Sequence, residues 1–276
     1  MLSELFTYLT TPCPRFVRRM GYLYEAIAMR GRSRRCAASW NEHLEKSRAA
    51  VLAAAHACRA REAAVILGSG LLLDVPLAEL CAAFKQVILV DIVHLPAVRR
   101  RVRRFANARL ENYDISTLAL RLFETMKTAG QPLPEPLTAD FAFVSAPSLV
   151  VSLNILSQLP VIPGRFVRRH MPAVGDQDLH AWCRRIVEAH RASLAALACD
   201  VCLIGDYAYV QHGTDGSREA GSTLYGLALP EPQATWRWQI APLGELSRHE
   251  AKELEVGVWS HPAPQTSGRS RPDGRI

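Results

Sequence analysis

Residues 63–91 read AAVILGSGLLLDVPLAELCAAFKQVILVD. The run 63–67 is short and wholly apolar, as a strand buried on both faces must be, and it stops at Gly68-Ser69-Gly70. Residues 75–84 carry helical periodicity, and 86–90 form a second apolar run that ends on Asp91. This strand, turn, helix, strand texture continues outward. A basic helix is expected over 95–104, a third strand over 108–113 ending at Asp114, and a helix over 117–128. Strands alternating with helices predict a parallel sheet with right-handed crossovers, because only a helix-length connection returns the chain to pair in the same direction.

Further along, the three prolines of 131–136 predict a loop. Residues 141–144 read as a short strand or hairpin arm, 149–153 as a buried strand ending at Asn154, and 178–198 as a long amphipathic helix. A fifth strand is expected over 200–205, ending at Asp206. Residues 235–240 and 254–259 alternate apolar with polar, which predicts an antiparallel pair closing the sheet. Upstream, 15–62 reads as helices. A break is expected at Gly31-Arg32-Ser33, and a second helix from Trp40 to Cys58 capped by Ser39 with Glu42 three residues on. The expected organisation is a helical extension over 1–62, an α/β domain over 63–260, and a disordered tail over 261–276 rich in Pro, Ser, Gly and Arg.

Composition narrows the class. With 276 residues, 49% of them hydrophobic and 21% charged, the chain can bury a sizeable core and is not disordered in bulk. No apolar run is long enough to cross a bilayer, and the first 14 residues lack the basic start and cleavage pattern of a secretory signal, so a cytoplasmic location is expected. The net charge of +7 is concentrated upstream: residues 1–62 contribute +6 and the remainder +1. That asymmetry suits an anionic partner without choosing one. Only four of the 33 basic residues are lysines, and genomic base composition alone can produce that bias, so the arginine clusters carry little recognition weight. The seven cysteines read as free buried thiols. Cys199 and Cys202 have metal-ligand spacing but no second close pair, so they read as strand-core residues and no metal is expected.

In an open parallel sheet the ligand crevice lies outside the carboxyl ends of the strands, where strand order reverses. The strand-terminal residues are therefore the informative ones. Gly68 and Gly70 let the backbone turn tightly and approach a ligand. Asp91 can accept the two hydroxyls of a ribose, and Asp114 can face a base edge. Each is weak alone; in this order and spacing they are moderately specific.

The series Ala64-Val65-Ile66-Leu67-Gly68-Ser69-Gly70, Val87-Ile88-Leu89-Val90-Asp91, Asn112-Tyr113-Asp114 and Val150-Val151-Ser152-Leu153-Asn154 resembles the class I S-adenosylmethionine-dependent methyltransferase superfamily over residues 63–260. The resemblance implies a Rossmann-like α/β fold: a mostly parallel sheet with helices on both faces and an antiparallel C-terminal strand pair. It implies S-adenosylmethionine as cofactor, with Gly68, Ser69 and Gly70 bordering the methionine moiety and Asp91 on the ribose. Asp114 and Ile115 would meet adenine, and Ser152 and Asn154 would lie at the methyl-donor end. The sequence departs from the pattern at Ile66 and Leu67, where relatives often carry an acid, and at Leu71-Leu72-Leu73, where no third glycine follows. The same absence argues against a dinucleotide-binding enzyme, kept as a minor alternative.

The acceptor is not identified by sequence. No Asn-Pro-Pro-Tyr or Asp-Pro-Pro-Tyr run of base-methylating enzymes follows Asn154, which tilts the expectation from nucleic acid toward a small molecule. Asp206 and Tyr207, then Tyr209 and His212 in an expected loop, are candidates for acid–base work, although packing or exposure explains each as well. Tyr22, Tyr24, Trp40 and His43 are available to line an acceptor pocket under the N-terminal helices, or simply to pack. A non-catalytic binding module on the same scaffold is the alternative function.

Overall fold

The computed structural model describes residues 2–126 and 131–261. Its strands are β1 (Ala63–Leu67), β2 (Gln86–Asp91), β3 (Ala108–Asn112), β4 (Leu149–Leu153), β5 (Asp200–Gly213), β6 (Arg218–Ser222), β7 (Ala234–Ala241) and β8 (Glu250–His261). They form one sheet in the order β3-β2-β1-β4-β5-β8-β7, with β6 pairing separately with β5. The first five are parallel, and β8 lies antiparallel between β5 and β7. This is the Rossmann-like sheet with an antiparallel terminal pair that the sequence resemblance implies.

The helices are α1 (Leu2–Thr10), α2 (Arg15–Met20), α3 (Tyr22–Arg35), α4 (Ala37–Ala57), α5 (Leu77–Ala83), α6 (Pro96–Val102), α7 (Ala119–Thr125), α8 (Val161–His170) and α9 (Asp176–Ala195). Alternation along β1 explains the two cores. Ala64 and Ile66 pack with residues of α3, α4, α5 and α6 on one face, whereas Val65 and Leu67 pack with α7, α8 and α9 on the other. Because both faces are covered, the strand is apolar at every position rather than at every second one. Trp182 of α9 is fully buried, and its Nε1–H donates to the Pro134 carbonyl at 3.0 Å, tying the proline-rich loop to the second core. No helix of the described residues is long and apolar enough to cross a membrane.

Several local expectations are corrected. The break at Gly31-Arg32-Ser33 does not occur: α3 runs through it, Arg35 and Glu4 fill the space beside Gly31, and Ser33 Oγ donates back to the Arg30 carbonyl at 3.0 Å. Ser39 does not cap α4. The helix begins at Ala37 with Cys36 at the N-cap, because the Cys36 N–H still bonds to Arg32 and its carbonyl already accepts from Trp40. Residues 141–144 are a turn, closed by the Val144 N–H on the Phe141 carbonyl at 3.1 Å, with the Phe141 and Phe143 rings packed on Tyr113. Strand β5 extends eight residues beyond the expected end, so His212 is a strand residue paired with Arg218 and Ala251 rather than part of a loop. Cys202 faces the first core and Cys199, just ahead of β5, the second, so the two thiols do not converge. His261, assigned to the tail, is the last residue of β8; 262–276 lie outside the described residues.

Candidate functional site

Between β1 and β4 the strand order reverses, and the chain leaves the carboxyl ends of β1, β2, β3 and β4 around one cavity of about 240 Å³. Gly68 and Gly70 line it with φ of +81° and +47°, the left-handed region that glycine enters without a side-chain clash. Gly68 is crowded as well: a Cβ there would lie 2.8 Å from both Ile155 Cβ and the Leu153 carbonyl oxygen. The loop is fixed to the neighbouring strand, since the Gly68 and Ser69 N–H groups both donate to the Val90 carbonyl at 3.0 Å.

Asp91 closes this loop from β2. Its Oδ2 accepts the Gly70 N–H at 2.8 Å and its Oδ1 the Ile92 N–H at 2.8 Å. Burial pushes the Asp91 carboxyl up, opposed by nearby His94 and by backbone N–H groups that include that of Val93. His94 is held down, chiefly by its own burial, and stands between Ser69 Oγ at 3.3 Å and Asn112 Oδ1 at 2.7 Å. A carboxylate offers about four lone-pair sites, so Asp91 keeps capacity toward the cavity.

Asp114 is committed differently. Its Oδ1 accepts from the Ser116 N–H at 3.0 Å and the Ser116 hydroxyl at 2.6 Å, and its Oδ2 from the Leu118 and Ala119 N–H groups at 2.9 and 2.6 Å. It satisfies orphan donors at the start of α7, the helix-capping role that an aspartate after a strand also suits. Asp114 and the neighbouring Ile115 still line the cavity.

Asn154 ends β4 in the left-handed region, φ 49°. Its Nδ2 donates to Asp74 Oδ2 at 2.8 Å and to Ser47 Oγ at 3.3 Å, whereas its Oδ1 is buried without a partner. His43 stands behind this amide, Nε2 3.4 Å from Asn154 Nδ2, accepts the Trp236 Nε1–H at its Nδ1 over 3.0 Å, and stacks flat on Trp238 at 3.9 Å. Burial lowers His43 to about 3, so the ring is neutral. Trp40 meets Trp238 edge to face and Tyr24 is exposed, so neither they nor His43 line the cavity.

The roof is α3, whose Tyr22, Glu25, Ala26 and Met29 face the cavity. The Tyr22 hydroxyl is buried and meets no partner at bonding geometry, although Ser116 is near; burial and then the Asp114 charge raise it well above its ordinary value. Thus six of the eight sequence-assigned residues, Gly68, Gly70, Asp91, Asp114, Ile115 and Asn154, converge on one space. Ser69 and Ser152 do not line it: Ser69 turns to His94, and Ser152 is buried beneath α9 with its Oγ 2.9 Å from His190 Nε2. Asp74, which from sequence reads only as a cap for the next helix, holds the Asn154 amide, and Gln158, which carries no role from sequence, lines the cavity. The cue for Asp74 was its position four residues past Gly70; Gln158 had none.

Asp206 and Tyr207 point apart. Asp206 lines a second cleft, whereas the Tyr207 ring packs edge-on against Trp259 at 5.9 Å and its hydroxyl is raised by burial and by Glu255. Successive side chains of a strand face opposite sides, which accounts for the divergence, and the register shift between Asp206 and Ala208 leaves Tyr207 without a partner on β8. Among the described residues, no group of three or more His, Cys, Asp or Glu is placed to hold a metal ion.

No protein-family model matches the sequence, and no curated protein matches it. Among solved structures the chain is similar to DhpI in its SAH complex, at 12% identity over 87% of this chain and 96% of that one, TM-score 0.36. It is similar also to the Burkholderia thailandensis 1,6-didemethyltoxoflavin-N1-methyltransferase, at 13% identity over 83% and 88% of the two chains, TM-score 0.32. A SAM-dependent methyltransferase of Leishmania major matches at 12% identity over 92% and 81%, TM-score 0.29. Likenesses this remote carry no functional weight, and the fold assignment rests on the strand order.

Proposed function

We propose that the chain is an S-adenosylmethionine-dependent methyltransferase whose cofactor lies in the cavity at the ends of β1 to β4. The observation that carries this reading is the convergence of the glycine turn, Asp91, Asp114 and Asn154 on one space at the switch point of the sheet. Two orphaned polar atoms in that wall, Tyr22 Oη and Asn154 Oδ1, fit a polar occupant, because buried polar groups left unpaired are costly unless a ligand satisfies them.

Gly68 and Gly70 would give the backbone its close approach, Asp91 would accept from ribose hydroxyls, and Ile115 would pack on the base while Asp114 holds the turn that presents it. Asn154 would offer its free carbonyl oxygen near the reacting end, oriented by Asp74 and Ser47. The bound cofactor would supply a methyl group activated on a sulfonium. The chain's own part in catalysis is then orientation and exclusion of water under α3, which can supply much of the rate when the acceptor is already nucleophilic.

Calorimetry with S-adenosylhomocysteine tests the reading. Binding by the intact protein, weakened about tenfold or more by Asp91→Ala through loss of charge-assisted hydrogen bonds, is expected. No binding, or undiminished binding by the folded variant, refutes the assignment. A non-catalytic module is favoured instead by one observation, the use of both Asp114 oxygens in capping α7. Transfer of labelled methyl to any component of a lysate would exclude that alternative.

A further inference from the structure

On the far side of the segment that begins α8 lies a second cleft of about 440 Å³. Ile155, Leu159 and Ile162 face the first cavity, Ser157, Val161 and Arg165 face this one, and Gln158 lines both. Helix α3 reaches both as well, through Tyr22 and Glu25 on one side and Arg32 on the other. The two spaces are neighbours under one roof.

The cleft contains an unsatisfied acid. Asp206 is 3% exposed; its Oδ1 accepts the Ser157 hydroxyl at 2.7 Å, and its Oδ2 is buried without a donor at bonding geometry, although Thr223 stands close enough to favour the anion. The Thr223 hydroxyl is buried and unpartnered too. A buried carboxylate oxygen with no donor is among the more expensive groups a fold can carry, and here the residue that carries it lines a cleft. Apolar walls, Val161, Ile240 and Leu254 among them, complete the enclosure.

We infer that this cleft receives the methyl acceptor, a small molecule that donates an N–H or O–H hydrogen bond to Asp206 Oδ2 and lays an apolar body against Val161, Ile240 and Leu254. The word acceptor rests on the methyltransferase reading; the binding site and its anchor do not. The charges argue against a nucleic acid strand. Asp206 repels phosphate, and the rim arginines are engaged, Arg32 with Glu245 at 3.2 Å and Arg165 with Glu25 at 2.6 Å. Lys252 lies over the Tyr209 ring, 4.1 Å from its centroid.

Amide chemical shifts of the ¹⁵N-labelled full chain, titrated at pH 7.5 with benzylamine, benzyl alcohol and toluene, test the site. Shifts should centre on Ser157, Thr223 and Leu254, with affinity falling in the order benzylamine, benzyl alcohol, toluene. Asp206→Asn should weaken benzylamine at least tenfold and leave toluene unchanged. Val161→Trp, which fills the cleft and leaves Asp206 in place, should abolish all three signals and decides the matter even if Asp206→Asn fails to fold. Shifts elsewhere, no shifts, or equal benzylamine affinity in Asp206→Asn would overturn the inference, as would displacement of benzylamine from the cleft by a single-stranded RNA 12-mer. S-adenosylhomocysteine calorimetry on the same samples separates the two readings. Loss of its binding by the intact protein removes the cofactor assignment and leaves the cleft result standing.

Discussion

Replacing Gly68 by alanine would put a methyl group 2.8 Å from both Ile155 Cβ and the Leu153 carbonyl oxygen, at a backbone φ of +81°. Two penalties add. Holding an L-residue in the left-handed region costs about 1–2 kcal/mol, and forcing an extra carbon into a packed site costs about 1–3 kcal/mol, so a loss of about 2–5 kcal/mol is expected. Neither neighbour can yield easily, because one contact is backbone of β4 and the other is the root of the Ile155 side chain rather than its tip. Gly70 supplies the internal control. Its φ of +47° carries the backbone penalty, but a Cβ there would meet only the Gly68 carbonyl oxygen at 3.8 Å, so Gly70→Ala should lose about 1–2 kcal/mol. Urea denaturation of both variants, followed by tryptophan fluorescence, reads the difference directly. Equal losses within about 0.5 kcal/mol, below the overpacking range, would show that the crowding at Gly68 is not real, and with it the close apposition of the β1 turn and the end of β4.

Asp114→Ala should destabilise the fold by about 1–2 kcal/mol through loss of the α7 cap, read by urea midpoint; a loss under about 0.3 kcal/mol, well below that range, would mean that α7 does not depend on it. Asp206→Asn should be more stable than the parent at pH 8, with the gap narrowing as pH falls. Burial raises the Asp206 carboxyl in the fold, so its penalty is full above the folded pKa and is relieved as the folded protein takes up the proton first; a gap that widened toward acid would contradict this. His43, lowered to about 3 by burial, contributes with the opposite sign: stability is intact above the unfolded value near 6.5 and drains away below it, by about 2 kcal/mol at pH 5. His43→Phe keeps the stack on Trp238 and should lose correspondingly less between pH 7 and pH 5 in thermal melts; parallel curves would count against a neutral buried imidazole.

Much of the parallel half of the fold was legible because β1, β2 and β4 are buried on both faces and bounded by turn chemistry: they are nearly continuous apolar runs that stop at Gly68, Asp91 and Asn154. Helix α8 was not, because Pro163 and Gly164 look like breakers; Pro163 falls in the first turn, where a missing N–H leaves no intrahelical bond unmade. The outer half of β5 and strand β6 are partly exposed and polar, so hydrophobic pattern gave no warning, although Asp215-Gly216 is a hairpin signal that would have marked the turn between them. In the site, residue order along the chain revealed which strand ends meet. It could not reveal that Ser69 and Ser152 turn inward to His94 and His190, since those partners are 25 and 38 residues away.

Strand β5 lives in two neighbourhoods. Strand β8 accompanies it from Val201 to Gly213, but on the other edge it is matched to β4 up to Ile204 and to β6 from Ala208 on, where β6, β5 and β8 form a paddle beyond the parallel sheet. The paddle touches the second cleft through Tyr209, Ser222 and Thr223 and contributes nothing to the wall of the first cavity. Substitutions at Tyr209, Ser222 or Thr223 are therefore a way to retune what one compartment admits while the other stays as built.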